Sequence, residues 1–142
     1  MRKTEKRSDC PISRTLDIFG DKWTLLIMRD LAFRGFQFYN EFLDSGEGIA
    51  TNVLSDRLKM LEDKGIIISK KYEKLKTRKQ YGLTKIGINT VPIILEMLVW
   101  GVNFDDSTIV VPEFYERFLN DKESLLKEVM TSLEEGMHKN FC

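Results

Sequence analysis

Residues 51–72, TNVLSDRLKMLEDKGIIISKKY, switch their apolar repeat at a single glycine, and that switch constrains the fold more than any other feature of the chain. Before Gly65 the apolar residues recur at helical spacing. At about 100° per residue, Val53, Leu54, Leu58, Met60 and Leu61 gather on one side, and Asn52, Ser55, Asp56 and Lys59 on the other, with Thr51 at the edge. Arg57 falls on the apolar side between Val53 and Leu61, where it is expected to snorkel or to pair with a carboxylate. After Gly65 the run IIISKKY is β-branched and reads as a strand. EKLKTRK has few apolar residues and reads as a hairpin tip, and QYGL returns as the partner strand.

The flanking segments read mostly as helices. CPISRTLDIFG places Pro11 at a first helical position and Gly20 just past the last, with Ile12, Leu16 and Phe19 on one face. DKWTLLIMRDLA follows, capped by Asp21, with Trp23, Leu26, Ile27 and Leu31 as its buried stripe, until Gly35 breaks it. FQF is a short extended stretch, and YNEFLDS a short third helix ahead of a flexible GEG at 46–48. Downstream, Thr84 caps a long helix to about Trp100, kinked near 88–91 by Pro92. Beyond a linker at 103–108, VPEFYERFL and DKESLLKEVMTSLEEG make two further helices, the second capped by Asn120 or Asp121 and stopped by Gly136. Trp23, Trp100 and the aromatics of 36–42 suit a core better than a cofactor box.

Charge is segregated along the chain. The 22 Lys and Arg balance the 22 Asp and Glu overall, yet residues 51–85 carry ten basic and four acidic side chains, and residues 103–142 four basic and nine acidic. Such a local excess fits either an anionic partner or an ordinary solvated face. A hydrophobic share of 42% with 31% charged residues excludes a disordered chain, and 142 residues suffice for one domain plus an extension. No apolar run approaches the roughly 20 residues that span a bilayer. The longest, VPIILEMLVWGV at 91–102, carries Glu96, and the N-terminal decapeptide lacks the apolar core of a secretory signal. A cytoplasmic protein without membrane association is therefore expected.

Little in the inventory supports catalysis. Cys10 and Cys142 match neither a disulfide framework nor a zinc spacing, and His138 with Cys142 supplies only two ligands. No nucleophile, base or metal set assembles, so an enzyme, a metal and a cofactor are not expected.

Three helices, a short strand, a fourth helix and a basic hairpin follow the order of a winged helix-turn-helix. The expected fold is mainly α with a small β-hairpin, extended by two extra C-terminal helices. A helix about 10–12 Å across fits a major groove about 12 Å wide, and a basic hairpin beside it can grip the backbone. Thr51, Asn52, Ser55 and Lys59 are the candidate DNA contacts on the helix. Lys74, Lys76, Arg78 and Lys79 are those on the wing, with Lys76 and Arg78 nearest its tip. The alternative is a winged-helix module for protein association, its wing set against an acidic partner.

The sequence also resembles a known family at these residues. CPISRTLDIFGDKWTLLIMRDL, GIATNVLSDRLKMLEDKGII and YGLTKIG, in that order over about residues 10–101, are similar to segments of the HxlR-type winged-helix transcriptional regulators. The resemblance implies a homodimeric, sequence-specific DNA-binding regulator, a repressor on a double-stranded operator, dimerising through its first and long fifth helices. Such regulators include sensors of redox or electrophile signals that use a cysteine at the position of Cys10, which here precedes Pro11 at a helix start where the dipole favours a thiolate; a non-sensing Cys10 stands equally open. The chain then divides into an N-terminal arm (1–9), a DNA-binding and dimerisation domain (10–102) and a C-terminal helical extension (103–142). Family members commonly stop soon after the fifth helix. The extension either caps the core and widens the dimer contact or covers a small-molecule effector pocket.

Overall fold

Among the described residues, 6–142 of this computed structural model, eight helices and one hairpin follow in order. They are α1 (Pro11–Phe19), α2 (Lys22–Phe33), α3 (Tyr39–Leu43), α4 (Thr51–Asp63), β1 (Ile67–Tyr72), β2 (Leu75–Leu83), α5 (Lys85–Ile88), α6 (Val91–Phe104), α7 (Pro112–Asn120) and α8 (Lys122–Phe141). Residues 1–5 of the expected N-terminal arm lie outside the described residues.

Gly65 sits at φ +72°, a conformation that glycine enters without steric cost, and the helix ends there as the sequence predicts. Ile66 N–H donates to the Leu61 carbonyl at 2.9 Å and Gly65 N–H to the Glu62 carbonyl at 3.0 Å, which satisfies the last turn of α4. The chain leaves this turn directly into β1, so the hairpin follows α4 with only a short turn between them.

Leu54, Leu58 and Leu61 of α4 interlock with Ile27, Met28 and Leu31 of α2, Phe42 of α3, and Ile67, Tyr81 and Leu83 of the hairpin. Each leucine so buried contributes about 1.5–3 kcal/mol. A second cluster joins Val91 and Leu95 of α6 to Phe118 of α7 and Leu125 of α8, and Met130 and Leu133 touch both clusters. Through Met130 and Leu133, α8 thus closes over the core that holds α4, and α7 over the second cluster.

Several expectations are corrected. The helix begun at Thr84 is two helices, because the backbone breaks at Asn89–Thr90 and Pro92 starts α6 rather than bending it. By length and composition alone Lys85–Phe104 is apolar enough to cross a bilayer, but Val91 and Leu95 in it are core residues. Gly136 does not stop α8, since it lacks the positive φ of a helix-ending glycine and the helix runs on to Phe141. The packing of Leu133, Met137 and Phe141 near β2 outweighs the cost, about 1 kcal/mol, of a glycine inside a helix. Asp121 stands at the start of α8 but makes no side-chain cap. Trp100 is not core: it is 67% exposed and stacks on Phe104 at 5.1 Å. In α2, Trp23 and Leu26 are only half-buried, and Met28 is the fully buried residue beside Ile27 and Leu31.

Candidate nucleic-acid interface

With its leucines in the core, α4 turns Thr51, Asn52, Ser55 and Lys59 to solvent on one exposed face. Its N-terminal turn is steadied from α3, where the Tyr39 hydroxyl donates to the Thr51 carbonyl at 3.0 Å and lies 3.2 Å from Ser55 Oγ. Its middle is tied to α2. Asp21 caps α2, accepting from Thr24 N–H at 3.0 Å and Thr24 Oγ1 at 2.9 Å, and also accepts from Arg57 Nε at 3.2 Å. Arg57 therefore pairs with a carboxylate, as its place on the wheel predicts. Partial burial works to raise the Asp21 carboxyl, but the bonds from Thr24 and Arg57 outweigh it and hold it below the ordinary carboxylate value. The loop ahead of α4 is pinned by a second network, in which buried Asp30 accepts from Arg29 and Arg34 while Arg29 reaches Glu47 and Arg34 the Ser45 carbonyl.

The hairpin is longer and tighter than the sequence suggests. β2 begins at Leu75, opposite Tyr72, so Glu73 and Lys74 form the turn. Lys74 is then nearest the tip, not Lys76 or Arg78, because Leu75 and Lys79 pair with Tyr72 and Lys71 and draw a polar segment whose composition argued for loop into β2. Lys71 lies directly across from Lys79. Like charges in that register repel unless an anion lies over them. Among the described residues none of Lys59, Lys71, Lys74, Lys76 and Lys79 forms an ion pair, and neither do Lys64, Lys70, Lys127 and Lys139, while Lys85, Arg117 and Lys122 each face a carboxylate of α6 or α8. Arg78 is held by neutral partners: its Nη2 donates to Asn40 Oδ1 at 2.8 Å, and its guanidinium lies 3.8 Å over the Phe38 ring.

The arrangement is one exposed polar helix beside a lysine-rich hairpin, both fixed to a common core. The HxlR-like helix-turn-helix family model matches residues 18–108, well over half of the chain and the whole of this site. The chain belongs to the HxlR-like helix-turn-helix family. The HTH-type transcriptional regulator sll1512 of Synechocystis sp. is 35% identical over 88 residues, which are 62% of this chain and 64% of that protein. The crystal structure of PA1607 superposes with a TM-score of 0.66 at 34% identity over 74% of each chain. The redox regulator HypR, in its oxidised form, gives 0.59 at 31% identity over 72% of this chain and all of its own. This HxlR-like chain is a transcriptional regulator of the helix-turn-helix type with a winged-helix fold.

Cys10 and Cys142 are free and exposed. Cys10 is the residue before Pro11 at the start of α1 and precedes the segment matched by the family. A cleft of about 730 Å³ opens between α2, α6 and the start of α7, with Leu25, Leu26, Phe33, Leu98, Val111 and Phe114 among its apolar walls and Lys22 and Arg29 at its edge. Sequence reasoning missed Phe38, Tyr39 and Asn40, which join helix to wing. The F-Q-F alternation was the available signal, since a side-chain period of two marks a strand edge that can pair with the hairpin.

Proposed function

We propose that this chain binds a specific double-stranded DNA operator as a homodimer, in the cytoplasm, and represses transcription by occupying promoter DNA. The observation that carries the reading is the unpaired lysine set of α4 and the wing beside the exposed Thr51–Asn52–Ser55 face. Phosphates supply the missing counter-charge, and each one neutralised releases bound cations. Asn52 has the donor and acceptor that an adenine edge requires, and Ser55 and Thr51 suit phosphate or base. The reading assigns the chain no reaction and no cofactor.

The dimer contact proposed is α1 against α6. Ile93, Met97, Trp100 and Phe104 are exposed at steps of four, three and four residues, which is the spacing of a helical seam. Ile12 and Leu16 are exposed one turn apart on α1, a helix with no buried residue of its own. Residues 10–102 then form the DNA-binding and dimerisation unit, and residues 103–142 a brace that closes the core. Oxidation at Cys10 would be felt at that seam, and similarity to the redox regulator HypR supports such a response. The apolar cleft is the proposed entry for a small-molecule effector.

Titration of genomic fragments at two salt concentrations tests the reading. Preferred fragments are expected to carry half-sites about 34–36 Å apart, or a multiple of that spacing, and affinity should drop steeply with salt. No preferred fragment and no salt slope end it, and saturation by a partner protein without DNA binding would favour the association module instead. Diamide treatment should change operator binding of the wild type and leave Cys10→Ser unaffected; a mutant that still responds removes this thiol from the scheme.

A further inference from the structure

The wing is held to the rest of the protein by more than its own ladder. From Ile67–Leu83 to Lys71–Lys79 the strands pair residue by residue, and then the register shifts, so that Tyr72 faces Leu75. Lys76, Thr77 and Arg78 are left without partners on β1. The outer half of the wing thus has a weakened ladder, and the Lys71–Lys79 pair at its base is repulsive.

Residues 37–40 compensate from outside the hairpin. Tyr81 N–H donates to the Gln37 carbonyl at 2.7 Å, Gln80 Nε2 to Gln37 Oε1 at 3.1 Å, and Phe38 makes an isolated antiparallel bridge to Gln80. The Phe38 ring packs edge-on to Tyr72 at 5.0 Å and carries the Arg78 guanidinium at 3.8 Å. Arg78 Nη2 reaches Asn40 Oδ1 at 2.8 Å, while Tyr39, between them in sequence, bonds to the Thr51 carbonyl at the start of α4. Alternate residues of one short segment therefore hold the wing and the helix.

We propose that Arg78 is a positioning residue: clamped by Phe38 and Asn40, it fixes the wing at its angle to α4, and residues 38–40 make the two a single DNA-binding body. The inference rests on reading α4 and the wing as the DNA face. The planar guanidinium is what the clamp needs, because it can stack on a ring and donate in its own plane at once, which an ammonium cannot do. Lys74 and Lys76 carry the phosphate-facing charge, and uncharged Asn40 matters to affinity without touching DNA.

The test uses the full-length protein and a duplex that the wild type selects from a random-sequence library, read by fluorescence anisotropy. Arg78→Lys keeps the charge and loses the clamp, so it should weaken binding nearly as much as Arg78→Ala, about tenfold. Asn40→Ala should share most of that loss, and the double variant R78A/N40A should be no weaker than R78A alone. Lys76→Ala, in contrast, should lower the salt slope by about one. In the free protein, R78K and N40A should speed hydrogen exchange of the amides of residues 70–79 and leave those of α4 unchanged. Wild-type affinity in R78K, additive losses in the double variant, or unchanged wing exchange would each overturn the proposal. If the wild type selects no duplex, the DNA-binding reading fails, and the exchange of the wing amides alone decides whether Arg78 clamps it.

Discussion

The face built from α4 and the wing and the apolar side chains exposed on α1 and on α6 are both open to solvent, and their chemistry is opposite. On the first, the leucines of α4 point inward and the exposed groups are mostly lysines, amides and hydroxyls, with Leu75, Asp56 and Glu73 among them and five lysines outside any ion pair among the described residues. On the second, the exposed groups are Ile12, Leu16, Ile93, Met97, Trp100 and Phe104, with Phe104 77% exposed. Water satisfies unpaired cations cheaply but not exposed large apolar side chains, so the cationic face can wait for an intermittent anion while the apolar groups are better served by a lasting contact. A chain with no net charge can therefore serve DNA, because only one of its surfaces has to be basic.

The largest effect expected from this contrast lies on the apolar side. Met97→Asp with Trp100→Asp puts two carboxylates in the seam and should leave a monomer in analytical ultracentrifugation with an unchanged circular dichroism spectrum. Losing the linked second half-site should weaken operator binding by ~100-fold or more. A variant that stays dimeric would move the contact elsewhere and break the comparison. On the polar side, Asn52→Ala should reduce discrimination against a substituted base pair by about 1–3 kcal/mol. Lys76→Ala should weaken all sequences alike. Equal losses of Asn52→Ala on every sequence would mean that Asn52 holds backbone and the specificity lies elsewhere.

Much of this was legible in the sequence because local rules and tertiary packing agree there. Gly65 both ends a helix and starts a strand, Asp21 caps α2, and the leucines of α4 are the residues that the core buries. The readings that failed are those where a distant element decides. Nothing within EKLKTRK says that Leu75 and Lys79 will pair with β1 and that Arg78 will lie over Phe38. Gly136 looks like a stop until the far end of α8 is seen against β2, where the Phe141 ring lies so near Gly82 that a Cβ there would come within 2.4 Å of it. Trp100 reads as core by size, but which side of α6 meets the core is fixed by Phe118 and Leu125, some twenty residues later. Of the candidate site, the lysines and the polar helix face were visible as patterns; the clasp of Phe38, Asn40 and Arg78 was not, since it joins residues 38 positions apart.

The smallest effect concerns the joint between α2 and α4, and it separates the two faces by pH. Asp21→Ala removes a cap and a partner of Arg57 and should cost about 1 kcal/mol in urea unfolding at pH 7. Asp21→Asn keeps a competent cap and loses only the charge, so it should cost less. The folded-state value for Asp21 is depressed, so its charge stabilises the native state above the ordinary carboxylate value and that stabilisation is lost as pH falls through the folded value. The gap between wild type and Asp21→Asn should therefore hold from pH 7 to about 5 and close below about 4. The six side chains of the apolar seam have no proton to gain over that range, so dimerisation measured under the same conditions should not follow it. A gap that persists at low pH would mean that Asp21 acts on the α4 joint through shape alone, and that the polar face is no more sensitive to acid than the apolar one.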